Sequence, residues 1–248
     1  MAQNLHGKTV LITGGARRVG AVVARRLHKA GANLAIHYRS SAREALALCA
    51  ELNAERADSA VSLQADLLDA ATLPRLVDAT LAAFGGLDVL INNASSFYPT
   101  PLGEITPAQW DDLVGTNMRA PLFLSQAAAE PLRQRKGLII NIVDIHGLRP
   151  LKRFPVYSAA KAGLIMLTHS LARELAPVVR VNAIAPGPVL LPEEGLTPEV
   201  EAKIVDSTLL KRRGTPEDIA SAALYFAADA PYVTGQVLAV DGGRSINS

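Results

Sequence analysis

The chain has 248 residues, 49% of them apolar and 4% aromatic, so its core must be packed by aliphatic side chains and alanine. The formal net charge is +2, with Lys and Arg spread along the chain, which argues against a nucleic-acid partner. A single cysteine, Cys49, excludes an internal disulfide, suits a reducing compartment, and reads as a small apolar filler in a helix.

Residues 1–8 are polar and lack the apolar segment of a signal peptide. No apolar run approaches the ~20 residues that span a bilayer. The expectation is a cytoplasmic chain with no membrane partner.

A first strand is expected at 9–13, running into Thr13-Gly14-Gly15-Ala16-Arg17-Arg18-Val19-Gly20 and a helix at 20–30. Such a turn aims backbone N–H groups and a positive helix end at a pyrophosphate. Taken alone, it also serves simply to pack a strand on a helix. The second strand, 33–37, ends in His37-Tyr38-Arg39-Ser40, where an NAD site would carry an acid for the ribose 2′-OH. A guanidinium and hydroxyls suit a 2′-phosphate instead, so NADP(H) is expected.

A helix at 43–55 leads to a third strand at 60–65. Asp66 closes it, placed to accept from an adenine amino group, with Leu67 beside it. After a helix at 71–84, strand 89–92 ends in Asn92-Asn93-Ala94-Ser95, small residues that let a cofactor lie close to the backbone. One long helix is expected over 107–135, capped by Thr106 with Pro107 at its first position.

A fifth strand, 138–143, precedes a helix at 157–175 that opens Tyr157-Ser158-Ala159-Ala160-Lys161. Four residues apart, the phenol and ammonium share one helical face, and a nearby cation favours the phenolate. That spacing alone also occurs by chance on surface helices. A sixth strand at 179–184, an irregular and mobile stretch at 190–210, a helix at 216–226 and a last strand at 237–240 complete the chain. Alternating strands and helices predict one domain: a doubly wound, parallel, seven-stranded α/β sheet of Rossmann type, with helices on both faces. Its ligands belong at the carboxyl ends of the strands. The histidines show no metal-ligand spacing, and no metal is expected.

Together these motifs resemble the short-chain dehydrogenase/reductase family over essentially the whole chain. The resemblance implies a Tyr157–Lys161 catalytic pair, with Asn117 ordering a relay water. It also implies Asn93 and Ala94 beside the cofactor, and Pro186, Gly187 and Val189 flanking the nicotinamide. Two positions depart from the family: Arg18 replaces a third glycine, and Asp144 replaces the serine thirteen residues before the tyrosine. Serine donates a hydrogen bond to a carbonyl oxygen, whereas an ionised aspartate only accepts. Asp144 therefore fits a substrate whose ring nitrogen must be protonated, and opposes the effect of the lysine on Tyr157.

These departures, with Ser95-Ser96-Phe97-Tyr98-Pro99-Thr100-Pro101, resemble the pteridine reductases within the family. The resemblance implies that Arg18 reaches the cofactor phosphates and the pterin, that Phe97 stacks on the pterin, and that Ser95 bonds it. It also implies a homotetramer. The function expected is NADPH-dependent reduction of a pterin or folate ring C=N bond. The alternatives are a carbonyl reductase of the same family, for instance on a 3-oxoacyl thioester, and a non-catalytic dinucleotide-binding regulator. Plainer roles stay open for Phe97 as a hydrophobic plug, for Asp144 as a cap or ion-pair partner, and for Trp110 and His146 as core, interface or bystander.

Overall fold

Seven strands form one parallel sheet in the order β3-β2-β1-β4-β5-β6-β7. They are β1 (Thr9–Ile12), β2 (Asn33–Tyr38), β3 (Ala60–Gln64), β4 (Val89–Asn92), β5 (Leu138–Ile142), β6 (Arg180–Pro186) and β7 (Val237–Val240). The computed structural model describes residues 4–189 and 197–247.

The central strands are buried on both faces, so they read as unbroken apolar runs rather than alternating ones. Successive side chains still go to opposite layers. Val10, Ile12, Leu34, Ile36, Val89 and Ile91 enter one core, against α1 (Arg18–Lys29), α2 (Ala42–Glu55) and α8 (Pro216–Ala228). Leu11, Ala35, Leu90 and Ile139 enter the other, against α3 (Thr72–Phe84), α5 (Ala120–Arg135) and α6 (Pro155–Leu175). The strand order reverses between β1 and β4, which opens a crevice at their carboxyl ends.

The helix expected over 107–135 is interrupted. α4 (Pro107–Val114) begins at Thr106, whose side chain accepts from the Gln109 N–H while Gln109 accepts from Thr106. A π-helical turn then spans Gly115–Arg119 before α5 starts. A π turn inserts one extra residue and redirects the side chains within it, which apolar periodicity does not reveal.

Within the stretch expected to be mobile, residues 190–196 lie outside the described residues. The rest contains a short helix, α7 (Pro198–Asp206), with no buried residue. The Glu201–Arg213 ion pair ties it to the following segment at 2.7 Å.

Candidate active site

The nucleotide end is built across the β1/β4 crevice. Thr13 Oγ1 accepts from the Asn93 and Ala94 N–H groups at 2.9 and 3.0 Å. Asn93 Nδ2 donates to Thr13 O and Gly14 O at 2.8 and 3.0 Å. Only glycine fits beside this seam: a Cβ on Gly20 would lie 2.4 Å from Gly14 O, and one on Gly14, at φ +60°, would press on Ala94 Cα at 3.0 Å. Arg18 also adopts a left-handed backbone, φ +53°. For a non-glycine residue that costs about 1–2 kcal/mol, the physical reason a glycine is usual there. Val19 follows it, half-buried, on α1.

His37 is placed differently from the expectation of a cofactor contact. Its ring is 2% exposed. Nδ1 accepts from the Gly14 N–H at 3.1 Å, which leaves Nε2–H to donate to Ala65 O at 3.1 Å. The ring thus bridges the glycine turn to Ala65, just past β3, and burial lowers its pKa. Leu67 likewise sends its side chain into the second core layer. Tyr38 packs at the edge of the first. Arg39 and Ser40 are exposed. Asp66 is exposed too, and one of its oxygens accepts from the Leu68 N–H.

Arg17, Arg18 and Arg39 are exposed near the carboxyl ends of β1 and β2, and none forms an ion pair among the described residues. That donor set fits the phosphates of a dinucleotide. At the far side of the crevice the Gly187 N–H donates to Val240 O, and a Cβ there would meet Asp241 Cα at 2.6 Å. Pro186 ends β6, and Val189 is buried two residues beyond Gly187.

At the chemical end, Tyr157 and Lys161 occupy the first two turns of α6. The Tyr157 phenol donates to Asp144 Oδ2 at 2.8 Å, while Asp144 Oδ1 accepts from the His146 N–H at 2.8 Å. Asp144 is therefore both a cap for the turn Ile145–Gly147 and the partner of the phenol. Lys161, 2% exposed, donates to Ile142 O at 2.9 Å and lies 5.7 Å from the centre of the tyrosine ring.

Burial, the Asp144 charge and the Asp144 hydrogen bond hold the Tyr157 pKa well above its ordinary value, against a smaller opposing effect of the Ser95 hydroxyl. The sequence reading sets an acidifying lysine against an opposing Asp144; in the structure burial and Asp144 together hold the phenol protonated. Lys161 itself is pushed down to about 8 by burial, with Asp144 pulling the other way.

Asn117 sits in the π turn, fully buried. Its Nδ2 donates to Leu113 O and Ser96 O at 2.9 Å, and its Oδ1 accepts from the Ser95 hydroxyl at 2.7 Å. Phe97 comes to the same place. Its ring stacks on Phe154 (4.7 Å, 14°) and meets Tyr157 edge-on at 4.8 Å. It remains 46% exposed. The structure thus brings Ser95, Phe97, Asn117, Asp144, Tyr157 and Lys161 together.

Sequence reading missed Phe154 and Asp112. Phe154 lies one turn ahead of the expected helix start, where no periodicity marks it. Asp112 accepts from Ser96 Oγ at 3.3 Å and Tyr98 Oη at 2.9 Å. In sequence it looks like part of a solvated helix face. Trp110, on the same helix, is half exposed.

The family model described as "Enoyl-(Acyl carrier protein) reductase" matches residues 14–245. The chain is a short-chain dehydrogenase/reductase. It is 36% identical over 253 residues to 3beta-hydroxysteroid dehydrogenase 1 of Eggerthella lenta, covering 99% of this chain and 97% of the relative. It is 36% identical over 279 residues to pteridine reductase 1 of Leishmania tarentolae (95% and 96%). The 3-oxoacyl-[acyl-carrier-protein] reductase FabG of Staphylococcus aureus is 36% identical over 240 residues (95% and 97%). Among solved structures, a blue fluorescent protein from a metagenomic library, in complex with NADPH, superposes with TM-score 0.91 at 36% identity, covering 98% of this chain and 99% of that one. The chain is thus an oxidoreductase of this family, whose members use NAD(P)H. No helix among the described residues is long and apolar enough to cross a membrane.

Proposed function

We propose that this reductase uses NADPH to reduce a ring C=N bond of a pterin, of the dihydrobiopterin or dihydrofolate type. The observation that carries the reading is the 2.8 Å hydrogen bond from the Tyr157 phenol to the Asp144 carboxylate. Identity alone does not choose a substrate, since relatives named for a pterin, a 3-oxoacyl thioester and a steroid are all 36% identical. Asp144 does. A carboxylate beside the phenol offers no second donor to a ketone oxygen, and it keeps the phenolic proton in place for a basic ring nitrogen.

Arg39 and Ser40 would hold the 2′-phosphate, and Arg18 with the Gly14–Gly20 turn the pyrophosphate. Asp66 would hold the adenine, and Lys161 the nicotinamide ribose. Asn93, Ala94, Pro186, Gly187 and Val189 would line the bed between them. NADPH, when bound, supplies the hydride to a ring carbon. Tyr157 supplies the proton to the adjacent nitrogen. The phenolate that remains is stabilised by the Lys161 ammonium. Asp144, half-buried and open to solvent on one side, returns a proton from water to Tyr157. The Ser95 hydroxyl, already fixed by Asn117, would bond the pterin, and the exposed part of the Phe97 ring would stack on it.

NADPH oxidation measured with dihydrobiopterin, dihydrofolate and acetoacetyl-CoA tests this reading. Turnover with a pterin or folate and little with the thioester supports it. Efficient reduction of acetoacetyl-CoA alone would assign the chain to the carbonyl reductases, and cofactor binding without any turnover to the regulators.

A further inference from the structure

Phe97 is the one side chain of the segment 95–98 that is not tied down by a hydrogen bond. The side chains on both sides of it reach one carboxylate, with longer contacts of 3.4 Å from Ser96 Oγ to Thr116 Oγ1 and from Tyr98 Oη to Gln109 O. Ser96 Oγ donates to Asp112 Oδ1 at 3.3 Å, and Tyr98 Oη donates to Asp112 Oδ2 at 2.9 Å. Residues two apart in an extended chain point the same way, and the one between them points the other. With residues 96 and 98 held toward α4, the Phe97 ring is delivered to the opposite side, against Phe154 and Tyr157.

We propose that Asp112 is a positioning residue of the substrate site: by holding Ser96 and Tyr98 from behind, it fixes the ring of Phe97 beside Tyr157 and so sets the affinity for a flat substrate. The link to pterin affinity rests on the function proposed above, whereas the link to Phe97 does not. Two features of α4 make Asp112 a firm post. The Thr106–Gln109 capping box fixes the start of the helix, and Leu113 O, one residue on, receives Asn117 Nδ2 at 2.9 Å. The same turn of helix therefore anchors the substrate loop and the asparagine of the site. Burial, reinforced by Asp112, pushes the Tyr98 phenol up to about 12, so Tyr98 stays a donor throughout the working pH range.

The test is a double-mutant cycle between Asp112 and Phe97, with fluorine spectroscopy as a second arm. Asp112→Ala should raise the KM for dihydrobiopterin about tenfold, as expected for losing two modest hydrogen bonds, with kcat and NADPH affinity nearly unchanged. In a Phe97→Ala background the same substitution should raise KM no further. In protein labelled with 4-fluorophenylalanine, the Phe97 resonance, assigned from Phe97→Leu, should move in Asp112→Ala as the stack on Phe154 loosens. Tyr98→Phe, which keeps the ring and removes only the donor, should move it in the same direction and serves if Asp112→Ala does not fold. A KM effect that adds fully to that of Phe97→Ala would overturn the proposal. So would a Phe97 resonance unmoved by either substitution. If dihydrobiopterin is not reduced at all, the pterin reading fails and the fluorine arm decides the role of Asp112 by itself.

Discussion

Tyr157 and Asp144, thirteen residues apart, share a proton-bearing hydrogen bond of 2.8 Å, while the Lys161 ammonium is directed away to Ile142 O. The pH dependence of the chemical step follows from that arrangement. Burial lowers Lys161 to about 8, so its charge, which stabilises the phenolate, is lost as pH rises through that value. The single-turnover rate should therefore fall on the alkaline side, around pH 8. Asp144 raises the lysine pKa, so in Asp144→Asn the alkaline limb should move to lower pH. A limb that stays in place, or moves up, would show that the lysine does not govern the step.

Arg39 has no ion-pair partner among the described residues and follows β2 directly. A charge-assisted hydrogen bond to a 2′-phosphate contributes about 1.5–3 kcal/mol, so NADPH should bind about tenfold or more tightly than NADH. Titration of the free enzyme with each cofactor measures the gap. Arg39→Ala should narrow it, and equal dissociation constants in the parent would remove the basis for the NADPH assignment.

Phe97 stacks on Phe154 and is 46% exposed. Phe97→Ala should weaken pterin binding by about 1–3 kcal/mol, by analogy with bases stacked on aromatic side chains, and leave NADPH affinity nearly unchanged. Calorimetric titration of each variant checks both halves. A loss of thermal stability with an unchanged Michaelis constant would make Phe97 a hydrophobic plug.

His37 should behave as a brace. His37→Ala leaves the Gly14 N–H and Ala65 O without their partner and should cost about 1–3 kcal/mol in urea unfolding. The folded ring must be neutral to accept from Gly14, and its pKa lies below the ordinary ~6.5 of the unfolded chain. The unfolded state then binds the extra proton. Stability from His37 is complete above roughly pH 6.5 and is lost as pH falls through the folded pKa. His37→Asn should flatten the acid slope of unfolding free energy, and an unchanged slope would contradict the bracing role.

The sheet was legible in the sequence because strands buried on both faces leave continuous β-branched runs, and Thr-Pro pairs mark the starts of α4 and α8. The break at Gly115–Arg119 was not, since a π turn leaves the apolar stripes on either side intact. In the site, Asp144 was legible as an acid where the family has serine, but the burial that raises the Tyr157 pKa most depends on packing that the sequence does not show. The bracing role of His37 escaped because a histidine near the carboxyl end of a strand reads equally as a ligand contact. Asp112 escaped because its partners, Ser96 and Tyr98, lie on a loop without periodicity.

On the function proposed above, Asp144 fits the site to a ring nitrogen rather than a carbonyl oxygen. Hydride transfer from bound NADPH in single turnovers, followed for the parent and Asp144→Ser with dihydrobiopterin and with acetoacetyl-CoA, tests it without interference from product release. Asp144→Ser should slow dihydrobiopterin reduction by about 10²–10⁴, the usual worth of general acid catalysis, while reduction of the thioester falls far less or rises. Dihydrobiopterin reduced by Asp144→Ser at the parent rate across the pH range would contradict it.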